Sequence, residues 1–173
     1  MTWRLRAASP GDCDALALVG SASFLESFAG ILAGDAIVAH CRHEHAAVAY
    51  ERFFDTGAKA WLVEAEAGQA PIGYALLAAA SLPGSRGDRR DIELKRIYVL
   101  SRFHGQGIGA ALMGQALGAA RARGAERVML GVYAANDKAR AFYARQGFVH
   151  VGERRFRVGD REYDDVVLAR SVI

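Results

Sequence analysis

Apolar and charged residues alternate along Trp3-Arg4-Leu5-Arg6-Ala7, the period-two spacing of a strand. Ser9-Pro10-Gly11-Asp12 follows with helix-start chemistry, Ser9 or Asp12 serving as cap, and residues 12–29 run helically. Gly30 to Asp35 interrupts that run. The spacing of Ile37, Cys41, His45, Val48 and Phe53 then predicts one second helix over residues 35–54, ended by Gly57. From Ala58 the pattern shortens, with strands over 59–65 and 71–79 joined by a turn at 66–70 as a hairpin. A polar loop over 82–91 leads into a strand from Ile92 to Leu100. Residues 105–123 form an amphipathic helix whose Ile108, Leu112, Ala116 and Ala119 share a face, with Gly124 as its stop. A strand over 127–133, a helix over 136–145 stopped by Gly147, and a hairpin of 148–157 with 162–169 complete the chain. The order β-α-α-β-β-β-α-β-α-β-β combines a central βαβ crossover with flanking hairpins. It predicts an α/β (α+β) mixed sheet with helices packed on it, within a single domain spanning residues 1–173.

Composition narrows the possible functions. Hydrophobic residues make up 52% of the chain, but 34 of its 173 residues are alanine, so the core is built from small side chains and helices. The longest mostly apolar stretch, Pro71 to Leu82, is 12 residues and carries Gly73 and Ser81. That falls short of the roughly 18 or more residues of a spanning helix, so no membrane role is expected. Two charges among the first six residues and no apolar run behind them argue against a secretory signal and predict a cytoplasmic protein. Cys13 and Cys41 stand alone, outside any C-x-x-C pattern, and are expected to be reduced. The net charge of +3 comes with 19 arginines but without a basic stripe interleaved with aromatics. This disfavours nucleic acid and favours a small anionic ligand.

The chemistry concentrates where the strand at 92–100 runs into Gly105-Gln106-Gly107-Ile108-Gly109 and a helix. Glycines at alternate positions let the backbone turn tightly. Their amides, with the free N–H groups and dipole of the helix's first turn, can point at a phosphate, and Arg102 and His104 add donors nearby. A tight strand-to-helix turn also accounts for the same glycines. No G-x-x-x-x-G-K-[ST] occurs, which excludes a P-loop. Gly105 to Ala110 does satisfy the dinucleotide pattern G-x-G-x-x-[GA], yet the next strand ends Leu130-Gly131-Val132-Tyr133 without the carboxylate that pattern requires.

Three segments together resemble the GNAT superfamily of acetyl-CoA-dependent N-acetyltransferases: the strand at 92–99, His104-x-x-Gly107-x-Gly109, and Asn136-x-x-Ala139-x-x-Phe142-Tyr143-x-x-x-Gly147-Phe148. The resemblance covers about residues 60–170. Locally, Glu93-Leu94-x-Arg96-Ile97-Tyr98-Val99-Leu100, Leu130-Gly131-Val132 and Phe156-x-Val158-Gly159-Asp160 resemble the PaiA-like polyamine acetyltransferase branch. The family's glycine turn reads [QR]-x-x-G-x-[GA], and this chain departs from it with His104 in the first position. The resemblance implies acetyl-CoA as cosubstrate, no metal, a small primary amine as acceptor, with a polyamine favoured over an amino acid, an antibiotic or a protein amino terminus, and a reasonable homodimer. Residues 104–109 (His104, Gly105, Gln106, Gly107, Ile108, Gly109) would meet the pyrophosphate. Ile97, Tyr98 and Val99 would offer backbone groups to the pantetheine arm, with Asn136 binding its amides and Arg145 a phosphate.

The same resemblance makes Glu93 the general base, with Asp91 as fallback, and Tyr143 the general acid. The reaction needs both roles. Only on the order of one alkyl amine in a thousand is unprotonated at neutral pH, and a thiolate leaves best beside a proton donor. Each residue also has an ordinary use: Glu93 as a solvated strand carboxylate, Tyr143 as a packing ring, Asn136 as an N-cap, Arg145 as a helix-end cation. A catalytically silent acyl-CoA sensor is the alternative outcome of the same cradle.

His40-Cys41-Arg42-His43-Glu44-His45 lacks the second histidine of a zincin pattern, position 47 being alanine, and reads as a polar helix face or part of an acceptor pocket. Acceptor selectivity is expected from the helices over 12–54, the 82–91 loop and the last hairpin, with Glu26, Glu93, Asp164 and Asp165 as acidic groups for an amine.

Overall fold

A computed structural model describes residues 2–173. The elements are β1 (Trp3–Ala8), α1 (Cys13–Phe28), α2 (Gly34–Glu44), α3 (Ala47–Asp55), β2 (Lys59–Ala65), β3 (Pro71–Ala79), β4 (Asp91–Val99), α4 (Ile108–Ala122), β5 (Arg127–Tyr133), α5 (Asp137–Arg145), β6 (Val149–Val158) and β7 (Arg161–Ser171). All seven strands join one sheet in the order β1-β2-β3-β4-β5-β7-β6. Every neighbouring pair is antiparallel except β4 with β5, the two strands that α4 connects.

Each face of the sheet is covered. On one, α4 places Ile108, Leu112, Met113, Ala116 and Ala120, spaced by three and four, against Leu77, Leu94 and Val128. The alanines let the helix lie close to the strands. On the other, Leu16 and Val19 of α1 and Tyr50 of α3 pack over Leu62, Tyr74 and Leu76. Strands β2 and β3 are buried along nearly their whole length because helices cover both sides, so they read as apolar runs.

The expected second helix is two helices. His45 leaves the helical conformation and Ala46 is extended (φ −69°, ψ 150°), so α2 stops and α3 starts afresh. Neither glycine nor proline marks this break. What replaces the lost helical turn is burial of His45, whose Nδ1 lies 2.9 Å from the Tyr50 hydroxyl. Tertiary packing here overrides local helical preference.

A polar clamp joins the chain's start to the sheet. Arg6 on β1 donates to Asp12 (2.7 Å) and to Glu64 on β2 (2.6 Å), while Asp12 also accepts the Ser9 N–H at 2.8 Å. The guanidinium's hydrogen bonds lower the Asp12 carboxyl from its ordinary 3.8 to about 2. A depressed folded-state value contributes stability above the unfolded value and loses it as pH falls through the folded one. Asp12→Asn should therefore lower unfolding free energy at pH 7 by on the order of 1–2 kcal/mol, and the gap from wild type should close between pH 4 and pH 2 in urea titrations. A gap independent of pH would assign the loss to packing.

Candidate active site

Strand β4 builds the site by leaving its neighbour. It pairs with β5 only at Asp91↔Arg127, Ile92↔Val128 and Glu93↔Met129, after which β5 continues beside β7 alone. A bulge accompanies the separation: Leu77 pairs with Leu94 and Leu76 with Arg96, so Lys95 is the extra residue. The bulge shifts the alternation by one. Leu94 and Ile97 both meet the α4-side core, and Arg96 and Tyr98 turn with Glu93 to the opposite face. Between the separated strands opens a cavity of about 860 Å³. It runs from the glycine turn, past β4 and α5, to the ends of α1 and α2 and the tips of β6 and β7.

At one end, Gly105 (φ 78°) and Gly107 (φ 80°) adopt the left-handed conformation, and Gly107 caps α4. The turn delivers the unpaired first amides of a 15-residue helix to the cavity. Gly105, Gly107, Ile108 and Gly109 line it, but Gln106 does not, and neither does Arg102. The cations at this mouth are Lys138 and Arg145, from opposite ends of α5. His104 ties the mouth together, its Nε2 2.7 Å from the Val99 carbonyl and its Nδ1 3.2 Å from Lys138 Nζ. A carbonyl only accepts and an ammonium only donates, which fixes the proton on Nε2. Lys138 is a site residue the sequence reading missed, since nothing distinguishes it from a solvated first-turn lysine.

Midway, Ile97, Tyr98 and Val99 line the cavity along the edge of β4 that β5 has left, with Asn136 opposite. Asn136 Oδ1 accepts the Ala139 N–H at 3.0 Å, so the side chain caps α5 while facing the cavity. Tyr143, two residues before the end of α5, is buried between Phe142 and Phe148 and lines the cavity. No side chain among the described residues bonds its hydroxyl. Burial, with Tyr98 nearby, pushes the phenol pKa up, so at neutral pH the group is a protonated donor.

Glu93 also lines the cavity. Its Oε2 accepts from Ser81 N (2.9 Å), Ser81 Oγ (3.3 Å) and Lys95 Nζ (2.7 Å), leaving Oε1 without a protein partner among the described residues. Asp91 is elsewhere. Fully engaged by Arg127 (2.6 and 2.9 Å) and by the Arg86 N–H, which hold its pKa below the ordinary carboxylate value, it does not line the cavity and is no fallback base. Arg86 and Gly84 belong to the same clamp, so the loop over 82–90 is fastened at the sheet's far end rather than contributing to an acceptor pocket.

The other end of the cavity is aromatic, lined by Phe24, Phe28, His40, Phe53 and Phe156. His40 stacks on Phe24 at 4.1 Å, so the histidine cluster is spent on packing rather than on a shared ligand. Burial keeps His45 neutral, lowering its pKa to about 3. Among the expected acidic groups, Glu26 accepts from Ser101 N and Oγ, both 2.7 Å, and Asp165 is paired with Arg154 at 3.0 Å. Asp164 lies outside the cavity.

Glycine is required at position 107 by conformation but at 109 by neither conformation nor space, since a Cβ there would sit 3.5 Å from Phe142. Gly107→Ala should cost about 1 kcal/mol, or roughly 2–4 °C of Tm, whereas Gly109→Ala should be close to neutral in thermal unfolding. Equal losses would show that the turn's left-handed residue is not under conformational constraint.

Comparison with known proteins agrees with this architecture. The model of the acetyltransferase (GNAT) family matches residues 25–148. An uncharacterized N-acetyltransferase of Mycobacterium tuberculosis is 43% identical over 102 residues, a stretch spanning 59% of this chain and 61% of the relative. Among solved structures, PaiA N-acetyltransferase from Thermoplasma acidophilum in complex with coenzyme A superposes with a TM-score of 0.75 at 18% identity, covering 99% of both chains. yncA from Salmonella typhimurium with acetyl-CoA gives 0.74 at 19% identity, covering 100% of this chain and 95% of that one. The likeness to PaiA is thus matched by that to yncA, and the shared fold does not single out the polyamine branch. The chain belongs to the GNAT family of acetyltransferases.

Proposed function

We propose that this protein transfers an acetyl group from acetyl-CoA to a small primary amine. The observation that carries the reading is the cavity itself: a left-handed glycine turn at a helix N-terminus, an unpaired strand edge and an unbonded phenol all line it. Diphosphate fits the turn's amides, with Lys138 and Arg145 as counter-charges, and an amide-bearing arm fits beside the exposed edge at residues 97–99. Coenzyme A in the PaiA structure and acetyl-CoA in the yncA structure support the choice of cosubstrate. The free thiols Cys13 and Cys41 fit a reducing compartment, and a cytoplasmic site of action is part of the proposal.

In this reading Glu93 Oε1 takes a proton from the acceptor ammonium, directly or through a water, while Lys95 and Ser81 hold Oε2 and so fix the carboxylate's orientation. The free amine attacks the thioester carbonyl, a C–N bond forms, the C–S bond breaks, and the nitrogen's surplus proton passes to solvent to leave a neutral amide. Tyr143 donates its O–H to the departing sulphur and recovers a proton from solvent. Its raised pKa suits a group that must remain protonated until negative charge develops on sulphur.

Turnover is read by thiol release with acetyl-CoA and a panel of amines. Tyr143→Phe should lower kcat by on the order of 10²-fold with little change in acetyl-CoA affinity. Unchanged kcat would remove Tyr143 from its role. Glu93→Gln should depress the rate most near pH 7 and progressively less toward pH 10, where free amine is abundant. A loss uniform across pH would mean that Glu93 is not the proton acceptor. Acetyl-CoA binding without turnover on any amine would favour the silent sensor.

A further inference from the structure

The aromatic end of the cavity contains one charge that the protein leaves incompletely answered. Arg96, turned into this space by the bulge at Lys95, lines the cavity with a side chain only 11% exposed. Its guanidinium lies 5.0 Å from the centre of the Tyr50 ring and 5.5 Å from that of Phe53. Among the described residues, Nη1 is the one buried side-chain nitrogen or oxygen without a hydrogen-bond partner. The nearest carboxylate, Glu44, is 3.6 Å from Nη2, beyond good hydrogen-bond range, and is 57% exposed to solvent. A buried guanidinium is costly unless its fork of donors is met, so an unmet donor on a side chain that lines the cavity points to a ligand oxygen.

The surroundings hold Arg96 in place and answer its charge only in part, through the exposed Glu44 and two ring faces. Tyr50 is pinned beneath it, its hydroxyl donating to Tyr74 Oη (3.3 Å) and therefore accepting from His45 Nδ1–H (2.9 Å). Gly20 makes room for this pair, because a Cβ there would approach the Tyr50 hydroxyl to 2.2 Å. The platform is neutral, since burial keeps both His45 and Tyr50 uncharged. Meanwhile each remaining carboxylate of the cavity already has a partner: Lys95 on Glu93, Arg154 on Asp165 and Ser101 on Glu26. A polycation would therefore find few free carboxylates and one buried positive charge.

We propose that Arg96 is the specificity residue of the acceptor site and receives a carboxylate, so that the acceptor is an amine that also carries a carboxylate and an apolar or aromatic body. This rests on the acetyl-transfer reading for the amine's fate, not for its recognition. The carboxylate pairs with the guanidinium from the cavity, the apolar body lies among Phe24, Phe28 and Phe156, and the amine faces Glu93.

The test compares L-phenylalanine, phenethylamine and spermidine, by thiol release with acetyl-CoA and by calorimetric titration into the protein saturated with coenzyme A. Wild type should prefer phenylalanine over phenethylamine by on the order of 10²-fold in kcat/KM and in affinity. Arg96→Met should bring that ratio near one by raising KM for phenylalanine alone, with Arg96→Lys intermediate because it keeps the charge and loses the fork. Wild type acting on phenethylamine or spermidine as well as on phenylalanine would overturn the proposal while leaving acetyl transfer intact, and needs no variant to observe. Failure of phenylalanine to bind the coenzyme complex at millimolar concentration would overturn it also. Arg96-dependent binding of phenylalanine without turnover of any amine would instead uphold carboxylate recognition and overturn the acetyl-transfer reading.

Discussion

Everything functional in this molecule depends on β4 and β5 pairing for only three residues. A parallel pair that continued would satisfy the backbone groups of residues 94–99 and leave no space between the strands. Because β5 departs after Met129, the edge of β4 is open to a ligand, and the bulge at Lys95 re-aims the side chains beyond it. The sheet nevertheless remains continuous. Asp91 and Arg127 clasp the paired end with a bidentate ion pair, and β7 follows β5 along its whole length on the other side. The closed end of the cleft is thus stiff and the open end is where chemistry can occur.

Around that opening, rigid elements rather than loops hold Glu93 and Tyr143, the two groups proposed to react. Glu93 is anchored through one carboxylate oxygen by Ser81 and Lys95, and Tyr143 is wedged between Phe142 and Phe148. His104 joins the strand end at Val99 to Lys138 on α5, so the anion-binding mouth and the strand edge share one hydrogen-bonded link. Placing such groups on strands and helices gives them fixed geometry before a ligand arrives. The acceptor end follows the same logic, with Tyr50 and Phe53 flanking Arg96 as flat, neutral surfaces.

Much of this was legible in the chain. Strands 59–65, 71–79 and 127–133 follow from hydrophobic pattern and turn residues, and their bounds in the structure coincide with the expected ones. The glycines at 105 and 107 announced a tight turn before a helix, which the structure makes with left-handed backbone, and Asn136 announced the next helix's cap. Three features were hidden for physical reasons. The break at His45 has no local marker because it is stabilised by a contact with Tyr50 and by burial rather than by backbone preference. The bulge at Lys95 leaves no glycine behind, so simple alternation would put Arg96 on the α4 side of the sheet and conceal its place in the cavity. The selection among carboxylates depends on partners that the linear pattern does not reveal: Arg127 lies 36 residues from Asp91 and engages both its oxygens, while Ser81 and Lys95 leave one oxygen of Glu93 open.

The central claim is that the gap between β4 and β5, headed by the glycine turn, receives coenzyme A. Isothermal titration of the purified protein with acetyl-CoA, with coenzyme A and NADH as parallel ligands, tests it most directly. One micromolar site for acetyl-CoA and no heat from NADH are expected. Binding of NADH without acetyl-CoA would give the glycine turn to a dinucleotide and would remove the roles assigned to Glu93 and Tyr143.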